Sequence, residues 1–212
     1  MTSQYNLISR MRKLFQGLFS ITKCRRAIVW ILLCVTCGCS EFGPSYRISP
    51  KERIVNEIMA KTIIQLKQQY GLQPFGDGAQ MMDEVWMLAL SFIYDKPIDV
   101  DGGRVLLVHA VEEFLSQINK DERIRPYLGR YPFVPKNVEI MIVFRNPDHS
   151  TIASEKLQLC VARDGICRYK CGGSTPQDPV IIMHEESFAE AHWKAHSLEL
   201  DPNVHQETGT PL

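Results

Sequence analysis

Residues 25–40, RRAIVWILLCVTCGCS, set the first limit on what this chain can fold into. Two arginines precede an apolar run of twelve residues, Ala27 to Gly38. As a helix it would reach roughly 18 Å at 1.5 Å per residue. A bilayer core is about 30 Å thick and takes about 20 apolar residues to cross. The run is too short to span and suits the apolar core of a secretory signal. The charge ahead of it agrees: Arg10, Arg12, Lys13, Lys23, Arg25 and Arg26 precede any acid, the first being Glu41. Residues 1–38 are thus predicted to be a signal segment, and the fold must be built from residue 39 onward.

The run ends in Val35-Thr36-Cys37-Gly38-Cys39, which resembles a relaxed bacterial lipobox. Such a site wants a small residue just before the modified cysteine and an aliphatic residue at minus three. Cys39 has Gly38 before it but Thr36 at minus three. Cys37 follows Thr36 and is the alternative. Cys39 is the expected lipid attachment point, against cleavage by the ordinary signal peptidase or retention as an uncleaved anchor. Ser40 resembles the residue that permits transfer to the outer membrane, so the expected location is the cell envelope, with the outer membrane favoured.

Lys and Arg balance Asp and Glu at 24 each over the whole chain. All six leader charges are basic, so the remainder carries a net charge of −6. That argues against nucleic acid, whose affinity rests on Lys and Arg neutralising phosphates, and against a basic membrane patch. Membrane contact is expected through the lipid anchor, with another envelope protein as possible partner. Residues 39–48 are expected to be a tether, 49–199 a single domain, and 200–212 a frayed polar tail. Beyond Cys39 only Cys160, Cys167 and Cys171 remain, an odd count without a C-x-x-C pair.

Ser49-Pro50-Lys51-Glu52 is a helix start with cap, proline and capping-box acid. Val55, Met59, Ile63, Leu66 and Tyr70 come next on one face, and Gly71 ends the helix. Residues 72–80, LQPFGDGAQ, read as a loop; the GxG pair lacks the preceding strand and third glycine of a phosphate loop. Residues 84–94 read as a buried strand. Asp101 is the expected cap of the next helix, with Leu107, Val111, Phe114 and Ile118 as its core stripe. Glu112 and Glu113 sit on its flank and read as a solvated face, because adjacent helical residues point about 100° apart. Residues 138–144 are a strand. Residues 156–162 and 166–170 form a hairpin about Asp164-Gly165, a strong two-residue turn signal. In that register Cys160 faces Tyr169 and the thiols stay free; a four-residue loop would instead set Cys160 opposite Cys167. Pro179–Met183 is a further strand, and Ser187–Ser197 a last helix with Phe188, Ala191, Ala195 and Leu198 toward the core.

This order predicts an α+β fold: a mostly antiparallel sheet with helices packed on one face. Residues 110–140, AVEEFLSQINKDERIRPYLGRYPFVPKNVEI, resemble a segment of uncharacterised lipoproteins of chlamydia-like and other intracellular bacteria, a likeness extending over about Gly71–Phe144. It implies lineage and location and brings no activity, cofactor or catalytic residue.

Two features carry possible chemistry. His192 and His196 lie four apart on the last helix and could hold Zn²⁺ with Glu185 or Glu199, as a metal-dependent envelope hydrolase would. Neither an H-E-x-x-H motif nor a spaced third ligand accompanies them, so exposed histidines and no metal or other cofactor are the expectation. The loop 124–135 gathers Arg125, Tyr127, Tyr131 and Phe133 between prolines. It is the candidate recognition surface if exposed, and a lid on the core if folded back. The lid is expected, so that Tyr131→Ala would cost several kcal/mol. The leading functional expectation is a non-enzymatic, lipid-anchored binding or structural module.

Overall fold

A computed structural model describes residues 47–172 and 180–200. The expected signal segment, Cys37, Cys39, most of the expected tether and residues 201–212 lie outside the described residues.

Helix α1 spans Pro50–Tyr70. The Ser49 hydroxyl accepts from the Glu52 amide, and the Glu52 carboxylate accepts from the Ser49 amide, closing the expected capping box. Gly71 stops the helix at φ 73°, a left-handed conformation open to glycine, and donates to the Lys67 carbonyl. Helix α2 spans Val100–Lys120. Its cap is Asp99, whose carboxylate accepts from the Gly102 amide at 2.8 Å. Asp101, the expected cap, lies inside the first turn and pairs with Arg104. The helix starts earlier than expected because a cap side chain serves the amide three residues on.

Six strands form one sheet in chain order: β1 Gln73–Gln80, β2 Met87–Tyr94, β3 Val138–Phe144, β4 Leu159–Arg163, β5 Ile166–Cys171 and β6 Ile181–Ser187. All neighbours are antiparallel except β2 and β3. Those two are parallel because α2 lies between them, and a parallel pair needs a long crossover. Helix α3, Phe188–Leu200, closes the fold. The predicted α+β class, mostly antiparallel sheet plus helices, is what the chain forms.

The four inner strands, β2 to β5, bury one face by alternation. Leu88, Leu90 and Phe92 on β2 stand beside Val138, Ile140 and Ile142 on β3, and Cys160 and Ala162 on β4 beside Tyr169 and Cys167 on β5. Over this face lies α2, in contact with β3 and β4 and with α1 and α3. A wide arc of α2 is therefore buried, including Leu106, Leu107, Val108, Ala110, Val111, Phe114 and Ile118. Leu157 packs directly over Gly103, where a Cβ would fall 2.6 Å from its side chain.

The stretch 72–80 departs from expectation. It is strand β1, paired along β2 with a register shift between Pro74 and Gly76. Proline and glycine disfavour strands but are tolerated at an edge, and β1 is an edge. Pairing with β2 outweighs local propensity. The other strand boundaries move less: β6 begins at Ile181, after the expected Pro179, and runs on to Ser187.

The hairpin adopts the two-residue register. Arg163 pairs with Ile166, and Cys160 faces Tyr169. Asp164 and Gly165 take φ of 55° and 76°. Cys160, Cys167 and Cys171 are free. Burial pushes the Cys160 thiol well above its ordinary range and the Cys167 thiol up to about 12. The thiolate is the reactive species. Alkylation of the native protein is therefore expected to mark the half-buried Cys171 and to reach Cys160 and Cys167 only on unfolding. Peptide mapping checks this; fast native labelling of Cys160 would contradict the buried register.

Candidate functional site

Helix α3 turns Phe188, Ala191 and Ala195 into the core. At 3.6 residues per turn, His192 and His196 then share the flank that faces α2. There they meet Glu112. His192 Nε2 lies 2.8 Å and His196 Nε2 3.1 Å from the same carboxylate oxygen, Glu112 Oε1. The other oxygen, Oε2, lies 3.4 Å from His109 Nδ1, one turn earlier on α2. The His109 ring stacks on Tyr70 at the end of α1, with centroids 5.5 Å apart and planes 11° from parallel. All three helices thus contribute to one cluster. It is partly open to solvent: the side chains of His192, His196 and Glu112 are 47 %, 39 % and 34 % exposed.

The docking of α3 on α2 is itself anchored by charge. Glu186, near the end of β6, has a side chain only 1 % exposed. It accepts from Arg104 Nε of α2 at 2.6 Å and from Lys194 Nζ of α3 at 3.0 Å. His184 Nε2 stands 3.3 Å from its second oxygen. Burial alone would push the Glu186 carboxyl up. Hydrogen bonds from Arg104 and Lys194 outweigh it and hold the group at about 2. Arg104, 6 % exposed, also pairs with Asp101 and lies over the Tyr169 ring.

The acids expected beside the histidines are not the ones that meet them. Glu185 pairs with Arg168 across β5 and β6 at 2.6 Å, and the Glu199 side chain lies outside the described residues. Glu112, read from the sequence as solvated, takes the place beside both rings. Its neighbour Glu113 points elsewhere, accepting from Gln117 Nε2 at 2.8 Å, so the two adjacent carboxylates do not work as a pair.

No known protein family, curated protein or solved structure matches the chain. The functional reading therefore rests on its own residues.

The loop 124–135 divides into two parts. Ile124, Leu128 and Phe133 are buried in the core. The loop is strapped down by backbone hydrogen bonds: the Val85 amide donates to the Tyr127 carbonyl, and the Gly129 amide to the Val85 carbonyl. Asn119 holds Phe133 on both sides, donating to its carbonyl at 2.9 Å and accepting from its amide at 2.8 Å. Arg125 and Tyr131 face outward, with the guanidinium 4.9 Å from the ring centroid. Tyr127 is half-buried. Part of the loop thus closes over the core, but Tyr131, the residue expected to do so, does not: it is 49 % exposed.

Sequence reasoning missed His109 and Glu112 as site residues. Glu112 stands 80 positions before His192, so no local spacing could join them. The available signal was a His and a Glu three apart on the flank of α2, a pattern common on solvated helices.

Proposed function

We propose that this chain is an exported envelope protein, held at a membrane by lipid on Cys39, whose α+β domain is a binding module. One observation carries the reading: a twelve-residue apolar run after paired arginines, ending in Gly38-Cys39. Two further points support it. Helix α1 begins at Pro50, about eleven residues after Cys39, a stretch that reaches at most about 40 Å when extended. No helix among the described residues is long and apolar enough to cross a membrane.

A metal-dependent hydrolase at His192 and His196 fits less well. Such an enzyme uses a base to activate water beside the metal. Glu112, placed beside both rings, would be a ligand there and not the base, and Glu113 is turned to Gln117. The partner class favoured for the module is another envelope component, consistent with the net charge of −6 beyond the leader.

Metabolic labelling with a fatty-acid analogue tests the anchor. Wild-type protein should be marked and Cys39→Ala should not. A diacylglyceryl group supplies two chains, enough for stable attachment where one gives marginal binding, so the variant should also leave the membrane fraction. Equal labelling of Cys39→Ala would move the lipid to Cys37. An unlabelled wild type would end the lipoprotein reading.

A further inference from the structure

We infer that Glu112, His192 and His196 form a binding site for a divalent transition-metal ion, zinc by its donor set. The site lies wholly within described residues and does not depend on lipid attachment.

The geometry is close to what the ion needs. Glu112 Oε1 and the two Nε2 atoms all lie within 4.8 Å of one another. A tetrahedral zinc ion with bonds of about 2.0–2.1 Å places neighbouring ligand atoms about 3.3 Å apart. The observed oxygen–nitrogen separations, 2.8 and 3.1 Å, lie a few tenths of an ångström inside that spacing, and the two nitrogens are at most 4.8 Å apart. The two rings sit four residues apart on α3, with centroids 4.5 Å apart, so one helix face presents both nitrogens together.

The surroundings hold the ligands in place. His109 engages the carboxylate oxygen that the other rings do not use, and its ring is stacked on Tyr70. Metal-binding carboxylates are commonly oriented by such an outer partner. Glu186 pairs with Arg104 on α2 and Lys194 on α3, which fixes the helices that carry the ligands. Because all three ligands are partly exposed, the fourth position opens to solvent, the arrangement of a three-ligand zinc site. Two imidazoles and one carboxylate suit a borderline ion. Magnesium and calcium favour oxygen-rich shells and fit poorly.

The competing account is a hydrogen-bonded cluster in which the carboxylate accepts from the rings and no ion enters. Zinc titration of the full-length protein, purified in detergent without a histidine tag, separates the two. Competition against a chromogenic chelator should show one zinc per chain, undisturbed by magnesium or calcium. His192→Ala and His196→Ala should each abolish stoichiometric binding. Both side chains are substantially exposed, so folding should survive, as circular dichroism would verify. Glu112→Gln, which keeps shape and hydrogen bonding, should also weaken binding. His109→Ala should weaken it by roughly 10–100-fold, as loss of an orienting partner does. Cobalt in place of zinc should give visible bands without thiolate charge transfer. Substoichiometric zinc on wild type, or full binding by the His192→Ala/His196→Ala double variant, would overturn the site. Thiolate bands would overturn it too, by placing the ion on cysteine.

Discussion

Replacing Glu186 with alanine is expected to destabilise the domain by about 3–5 kcal/mol, the usual cost of removing one member of a buried ion pair. Arg104 would stay behind, 6 % exposed, with only Asp101 as a charged partner. Lys194 would lose one of its two acids and keep Glu190. The loss falls where β6, α2 and α3 meet, so the last helix should loosen first. Urea unfolding monitored by circular dichroism would measure it. A shift of under about 1 kcal/mol, within the range of an exposed pair, would show that the site is wetter than its burial indicates.

The same carboxylate sets a pH dependence. Glu186 titrates near 2 in the folded protein, against 4.5 for an ordinary glutamate. A depressed folded value means that the unfolded chain binds the proton first. The pair's stabilisation is therefore complete above about pH 4.5 and is lost as pH falls toward 2. At 1.36 kcal/mol per unit the shift corresponds to about 3 kcal/mol. Asp95, Asp121 and Asp148 are also held low by their partners and add to the acid sensitivity. The comparison that isolates Glu186 is wild type against Glu186→Gln. The variant should start less stable and lose less between pH 5 and 2.5. Parallel curves for the two proteins would contradict the assignment.

Phe133→Ala is the second large expected effect, about 3–5 kcal/mol, as for other buried aromatic truncations. The ring is 2 % exposed, and its backbone is pinned on both sides by Asn119. Its loss would leave a void that the strapped loop has little freedom to fill. Tyr131→Ala, two residues earlier, should cost under about 1 kcal/mol, since half the side chain is in solvent and its contact is the exposed Arg125. Thermal unfolding of both variants gives the contrast. Equal losses would mean that the outer part of the loop carries load after all. From sequence, this cost is expected at Tyr131, and the structure moves it to Phe133. Two aromatics flanking one proline look alike in sequence; which of them faces inward depends on where Asn119 and Val85 hold the chain.

Other elements were legible because their signals are local. The capping box at Ser49 and Glu52, the stop at Gly71 and the turn at Asp164-Gly165 each involve groups within a few residues of one another. Strand β3 announces itself by alternation, since its core face reads Val138, Ile140, Ile142, Phe144. Strand β1 gave no such signal. Its Pro74, Gly76 and Gly78 describe a loop, and only the hydrogen bonds offered by β2 make it a strand. The cap of α2 was misplaced by two residues because Asp99 and Asp101 are chemically equivalent, and the choice between them depends on backbone conformation.

The candidate site shows the same division. That His192 and His196 share a face comes from helical geometry, so sequence alone determined it. The same holds for the net charge of residues 39–212 and for the free-thiol register of the hairpin. Which acid meets the two histidines was decided only by tertiary structure. Glu112 reaches them because α2 and α3 pack side by side, with Phe188, Ala191 and Ala195 buried in the core and Glu186 paired to Arg104 on one helix and Lys194 on the other. A buried charge must find its partners wherever the chain brings them, and no spacing within one helix records that requirement.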